Sequence, residues 1–167
     1  MKETSEEITQ LQALLDESVE NAGSFLRSSF EMPEHSLSAA QLVSYLQGNQ
    51  TVAFATVTAK SEPRVAPIGS LFYRGKFYIP TLASAVRTKH VLKRPGVSLT
   101  CFAGDGLAII VHGTATVIAP AHTDFAAVDG LLREYSEMSV LEWGDGDGVY
   151  LRVDAKVMYT YARDPVV

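Results

Sequence analysis

The stretch Thr81-Leu82-Ala83-Ser84-Ala85-Val86-Arg87-Thr88-Lys89 joins a hydroxyl at a strand end to a serine and two nearby cations. If Ser84 opens a helix, free backbone N–H groups and the positive end of the helix dipole face outward there. Arg87 and Lys89 then add charge-assisted donors, and the whole forms a cradle for a small anion such as a phosphate. The surroundings carry the same sign. Between Glu62 and Asp105 lie forty-two residues without an acid, and they hold seven of the chain's fourteen Lys and Arg: Arg64, Arg74, Lys76, Arg87, Lys89, Lys93 and Arg94. A chain of formal charge −5 thus keeps a positive central segment, and local sign governs which ligand is drawn in. The plain alternative is a solvated helix face with a serine cap. Cations at a helix start oppose the dipole, however, and call for a compensating anion. Lys93 and Arg94, near the helix end, complement the dipole without any ligand.

Other chemistry finds little footing. Cys101 is the only cysteine, so no intrachain disulfide forms, and its apolar setting from Val97 to Phe102 marks a buried small hydrophobe. His35, His90, His112 and His122 lack metal-ligand spacing and read as hydrogen-bonded structural residues, so no metal site is expected. Asp145 and Asp147 in a glycine-rich run resemble the start of a calcium loop, yet Val149 and Lys156 stand where oxygen ligands are required, leaving an acidic turn. There is no Gly-x-Ser-x-Gly, His-Glu-x-x-His, P-loop or dinucleotide fingerprint, and no catalytic acid, base or nucleophile can be assigned. The acidic balance argues against a nucleic-acid partner.

The elements that must position the cradle follow from periodicity. Ile8, Leu11, Leu15, Val19, Ala22 and Leu26 form one apolar stripe and predict a single helix near residues 5 to 28. A second helix follows the loop at residues 31 to 35, capped by Ser36 or Ser38 and ended by Gly48. Thr51 to Thr58 and Arg64 to Tyr73 read as a hairpin, and Arg74-Gly75-Lys76 turns the chain into Phe77 to Thr81. A helix from Ser84 to about Lys93 is stopped by Pro95. Strand Val97 to Phe102 then pairs with Leu107 to Ile118 across Gly104-Asp105-Gly106, whose Asp-Gly step signals a two-residue hairpin. A helix carrying Phe125, Val128, Leu131, Leu132 and Tyr135 on one face precedes a last strand, Val149 to Tyr161. Trp143 and Tyr73, Tyr78, Tyr159 and Tyr161 fit packing roles. Short antiparallel strands in this number curl into a small barrel, because closure removes exposed edges. The expected fold is mainly β with peripheral helices: a helical extension over residues 1–36 and a six-stranded antiparallel barrel domain over 37–163. No apolar run approaches the ~20 residues that cross a bilayer, and the acidic start is unlike a targeting peptide, so no membrane association and a cytoplasmic location are expected.

Thr56-Val57-Thr58, Pro63-Arg64-Val65-Ala66-Pro67-Ile68, Phe77-Tyr78-Ile79-Pro80-Thr81, Arg87-Thr88-Lys89-His90-Val91, Pro95-Gly96-Val97-Ser98-Leu99 and His112-Gly113-Thr114 occur in an order and spacing that resemble the pyridoxamine 5′-phosphate oxidase-like split β-barrel family. The resemblance covers roughly residues 38 to 161. It implies FMN, or the deazaflavin F420, bound at the interface of a homodimer. Carried over residue by residue, it implies that Thr81, Ser84, Arg87 and Lys89 hold the phosphate and that Arg64, Val65, Ala66, Pro67 and Ile68 lie along the ring system. Ala85 and Val86 stand where the family often has serine and a polar residue, and the end of the sequence lacks the glycine-rich, doubly arginine-bearing motif of true pyridoxamine phosphate oxidases. Vitamin B6 oxidation is therefore not expected. The resemblance implies a flavin- or deazaflavin-dependent oxidoreductase acting on a small conjugated or aromatic substrate. The alternative is a non-catalytic module that carries a cofactor or haem on the same barrel. A flavin performs the redox step itself, so the missing catalytic motif is consistent with the first reading. The compact basic cluster favours FMN over the longer-tailed F420.

Overall fold

Along the first β-branched run, Val52, Phe54 and Thr56 are buried while Ala53, Ala55 and Val57 are only partly covered, the alternation of a strand with one face on a core. In the computed structural model, which describes residues 2–164, this run is β1 (Asn49–Val57). It turns back into β2 (Pro63–Tyr73), with Val57 opposite Pro63. Arg74 and Gly75, with φ of 52° and 73°, make the tight turn into β3 (Lys76–Leu82), since paired positive φ matches the twist of a hairpin. β4 (Gly96–Ala103), β5 (Leu107–Ile118) and β6 (Gly148–Ala162) complete a closed antiparallel barrel in the order β1-β2-β3-β6-β5-β4.

The barrel is unevenly zipped, and this matters for the site. β2 pairs with β1 along Pro63 to Leu71 but with β3 only at Leu71, Phe72 and Tyr73. From Pro63 to Ser70, β2 therefore has a strand on one side and, among the described residues, none on the other. β1 and β4 likewise pair only between Ala53–Ala55 and Ser98–Thr100. One seam of the barrel is left open, with backbone donors and acceptors along it.

Three sequence expectations are corrected. The single helix near residues 5 to 28 is two, α1 (Ser5–Glu20) and α2 (Ser24–Ser29). Asn21 caps the first and Gly23 opens the second, both poor helix formers, while Phe25 is 83 % exposed and so lies off any covered stripe. The β4–β5 link has three residues rather than two: Ala103 faces Leu107, Gly104 takes a φ of 54°, and the Asp105 carboxylate is freed to bind Arg163 at 3.0 Å. Tyr135 is exposed on α5 (Phe125–Ser136) instead of sharing its buried face. Of the two serines offered for the next helix, Ser38 caps α3 (Ala39–Tyr45), exchanging bonds with Gln41 in a capping box.

The first helix, α1, packs on the barrel and shares its core. Leu11 and Leu15 join the same buried cluster as Val52, Phe77, Ile109 and Val153. Ser18 Oγ accepts from Met158 N at 3.0 Å, Gln12 Oε1 from Ala39 N at 2.8 Å, and Thr160 Oγ1 from Leu37 N at 2.8 Å, so α1 is tied to β6 and α3 by paired polar groups as well as by burial. No helix among the described residues is long and apolar enough to cross a membrane. Leu15→Ala should destabilise the whole barrel by about 2–5 kcal/mol. Urea unfolding followed by fluorescence and by far-UV dichroism should show one shifted transition; a separate early melting of α1 alone would contradict the shared core.

Candidate functional site

α4 (Val86–Lys93) packs against β1 and β5 and, with β1 and β2, lines a cleft of about 330 Å³. Phe54, Thr56 and Thr58 line it from β1 and the residue after, Arg64, Val65, Ala66 and Ile68 from the unpaired stretch of β2, and Val86, Arg87 and His90 from α4. Aromatic, aliphatic and hydroxyl side chains thus surround one cationic corner, the composition of a pocket for a flat, partly apolar molecule with a charged end. Val65 and Val86 are 69 % and 66 % exposed, which leaves one wall of the cleft uncovered.

The charges sort clearly. Arg64 is bound to Glu62 at 2.8 Å, Arg74 lies 3.4 Å from Glu7, and Lys76 lies 2.6 Å from Asp154; each partner comes from outside the acid-free segment. Arg87, Lys89, Lys93 and Arg94 form no ion pair among the described residues. The start of α4 compounds this. Ala85, not Ser84, is its N-cap, and it offers no side-chain acceptor, so the first-turn N–H groups are uncapped beside an unpaired Arg87. An anion at this corner would satisfy both.

The residues expected at the site fall into two groups. Arg64, Val65, Ala66, Ile68 and Arg87 come together in the cleft, whereas Pro67, Thr81, Ser84 and Lys89 are not among its lining residues. Thr81 is buried in β3 opposite Val149, with no hydrogen-bond partner for its hydroxyl among the described residues. Lys89 is exposed on the far side of the helix. Ser84 is turned toward the glycine-rich turn: its backbone N donates to Asp147 Oδ2 at 2.9 Å, and Ala83 N donates to Asp147 O at 2.8 Å. The Ser84 hydroxyl and N–H together hold the Asp147 carboxyl below the usual carboxylate range. The acidic turn is thereby a latch on the entry to α4. Phe54, Thr56, Thr58, Val86 and His90 were not anticipated as cleft residues; the signal was the period-two alignment of Phe54, Thr56 and Thr58 and the three-residue step from Arg87 to His90.

The latch is itself braced. Asp129 of α5 is 7 % exposed and accepts from Ser139 Oγ at 2.8 Å, Val140 N at 2.9 Å, Tyr150 Oη at 2.9 Å and Arg133 Nε at 3.3 Å. Burial pushes its carboxyl up, but these donors outweigh burial and hold it below the ordinary range; the same contact and burial push the Tyr150 hydroxyl up. Asp129 thereby fixes the short 3₁₀ turn at Val140–Glu142, which rests on the first residue of β6. Only glycine fits at 148, since an added Cβ would strike the Val140 carbonyl. Trp143, half-buried against the α5 cluster, leads from this turn into the latch.

The sequence profile of the pyridoxamine 5′-phosphate oxidase family matches residues 38–161. No curated protein matches the chain. Among solved structures, the conserved hypothetical protein Rv2991 from Mycobacterium tuberculosis aligns with a TM-score of 0.68 at 15 % identity, over 78 % of this chain and 88 % of its own. The haem storage protein HutZ from Vibrio cholerae gives 0.63 at 13 % identity, over 73 % of this chain and 93 % of its own. A pyridoxamine 5′-phosphate oxidase-related, FMN-binding protein from Nostoc punctiforme gives 0.53 at 11 % identity, over 64 % and 70 %. At such identities the likeness is one of fold.

Two measurements check the braces. Asp129→Asn should cost about 1–3 kcal/mol in denaturant unfolding at neutral pH, because buried donors lose their charged acceptor. Since the Asp129 carboxyl is held below its unfolded value, its stabilisation is present above about pH 4 and lost as pH falls through the folded value. The acid limb of the wild-type stability curve should flatten in the variant. Ser84→Ala should raise the Asp147 carboxyl toward the ordinary range in an NMR titration; an unmoved Asp147 would contradict the latch.

Proposed function

Because the chain belongs to the pyridoxamine 5′-phosphate oxidase family, we propose that it binds FMN in the cleft under α4 and works as a cytoplasmic, homodimeric oxidoreductase on a small conjugated or aromatic substrate. One observation carries the reading: Arg87 and the uncapped start of α4 present positive charge to the cleft with no carboxylate to balance it. A phosphate supplies that balance with charge-assisted hydrogen bonds. The open edge of β2 from Arg64 to Ile68 fits the other end of the same molecule, because a flavin ring has both an apolar face and a polar rim. Val65 and Ala66 provide a surface for the face, and unpaired backbone groups answer the rim.

When bound, FMN supplies the redox chemistry, accepting or giving a hydride or electrons. The chain's own part is to hold the phosphate at Arg87, align the ring on β2, and shield it from water with Phe54, Val65, Val86 and Ile68. Thr81 and Lys89 remain proposed phosphate contacts, Thr81 through its unpartnered hydroxyl and Lys89 through long-range charge. Pro67 keeps its proposed place along the ring and Ser84 a backbone role at the helix entry. The exposed Val65 and Val86 form the wall that a second copy of the chain would cover, which supports a dimer with the cofactor between subunits. F420 is the alternative cofactor. Its longer acidic tail needs a wider basic surface; of the two residues that could extend it, Lys76 is bound to Asp154 while Lys93 forms no ion pair among the described residues, and the compactness of the cluster at Arg87 is what favours FMN. The rival reading is a non-catalytic carrier of a cofactor or haem in the same cleft; a flavin needs no acid, base or nucleophile from the chain, so the lining fits both and turnover separates them.

Purification should yield a yellow protein with a flavin spectrum that NAD(P)H or dithionite bleaches and an acceptor restores. A haem band, or bound flavin without turnover across an acceptor panel, favours the carrier; a colourless protein that quenches F420 fluorescence favours the deazaflavin. Arg87→Ala should weaken FMN binding by about 1.5–3 kcal/mol with the thermal midpoint unchanged. Affinity retained within about 1 kcal/mol would defeat the phosphate assignment.

A further inference from the structure

We propose that His90 is a further ligand of the anion at Arg87, donating from Nε2, and that its protonation strengthens binding on the acid side of neutrality. The inference rests on the reading of the cleft as a phosphate-bearing cofactor site. His90 lines that cleft three residues after Arg87, so both side chains leave the same face of α4. Its Nδ1 is 2.9 Å from Thr56 Oγ1, and Thr56 is 3 % exposed, which pins the ring at one nitrogen. The Thr56 hydroxyl has no other partner among the described residues. We assign the hydroxyl as the donor to Nδ1, since its own proton would otherwise be buried without an acceptor, and the neutral ring then carries its proton on Nε2. On protonation Nδ1 donates to Thr56 instead, and Nε2 stays a donor while the ring gains a charge. Nε2 is then the polar atom of the ring left for a ligand in both states.

The neighbouring charges make that gain depend on an anion. On α4 stand Arg87, Lys89 and Lys93, with Arg94 at its end; on β2 stands Arg64, tied to Glu62 at 2.8 Å. β1 carries no titratable side chain, β4 only the buried Cys101, and β5 only His112, which is bound to Ser98 at 2.8 Å. Apart from Glu62, no acid on these elements faces His90. A bound phosphate is thus the missing counter-charge, and by reciprocity whatever the anion does for protonation, protonation does for the anion. Protonation of His90 adds a charge at the same corner, so the affinity it contributes falls as pH rises.

The test is an FMN titration by flavin fluorescence at about pH 6 and pH 8 for wild type, His90→Asn and His90→Gln. Asparagine keeps an amide where Nδ1 meets Thr56 but leaves the Nε2 position empty; glutamine does the reverse. Comparison at equal pH removes the phosphate's own second ionisation, which lies near pH ~6. His90→Asn should lose about tenfold in FMN affinity at the lower pH and much less at the higher, while riboflavin, which lacks the phosphate, binds as in wild type. His90→Gln should recover part of the affinity but give a ratio between the two pH values as flat as that of asparagine. The proposal is overturned if His90→Asn or, should that variant unfold, His90→Gln keeps the wild-type ratio, or if riboflavin is affected as strongly as FMN. A wild type that takes up no FMN, or Arg87→Ala binding as well as wild type, overturns the cofactor reading itself. Arg87→Ala losing FMN while the His90 variants keep the wild-type ratio overturns His90 alone.

Discussion

Positive charge without a counter-charge, held against a gap in a closed barrel, is the constraint around which the site is arranged. Barrels pair their strand edges because open backbone groups are costly when buried and adhesive when exposed. Here β2 leaves Pro63 to Ser70 unpaired on one side, and α4, packed on β1 and β5, brings Arg87 to the cleft that this stretch helps to line, with its own first-turn N–H groups uncapped. Each feature alone is unfavourable or neutral. Together they describe a surface whose polar backbone, apolar strand face and cation are complementary to one molecule with a flat body and an anionic end.

The rest of the fold keeps α4 where this works. At the start of α4, Thr88 Oγ1 donates to Leu82 O at 2.7 Å, and Asp147 holds Ala83 and Ser84, so the chain enters the helix along a fixed path. Asp147 can do this because the Asp129 network locks the 3₁₀ turn and Gly148 lets it sit directly on β6. A buried carboxylate with four donors is rigid as well as stable, since loosening any one bond leaves a buried polar group unsatisfied. The first helix acts elsewhere: α1 packs on β6 and α3 and adds Leu11 and Leu15 to the core, and none of its residues lines the cleft.

One arginine differs from its neighbours in a way that matters to ligand choice. Arg64 also faces the cleft, but Glu62 and the Pro63 carbonyl occupy its guanidinium, so it contributes its stem more than its charge. Electrostatic attraction is then concentrated at a single corner, which orients a ligand as well as retaining it.

Much of the fold was legible in the sequence because it is local. Strand alternation from Val52 to Thr56, the positive-φ turn at Arg74 and Gly75, Ser38 as a cap and Pro95 as a stop each depend on a few consecutive residues. The acid-free segment, with its surplus of cations, was equally plain. Where periodicity misled, a local breaker was weaker on paper than in the chain: Asn21 ends the first helix and Gly23 opens the next, both poor helix formers. What the sequence could not decide was partnership. Whether Ser84 faces a ligand or Asp147, and whether His90 faces the core or the cleft, turn on residues distant in the chain, Asp147 being sixty-three positions from Ser84 and Thr56 thirty-four from His90. Composition and spacing fix which groups exist and which element carries them; only the closed barrel, by setting strand order and leaving one seam unpaired, fixes which groups meet.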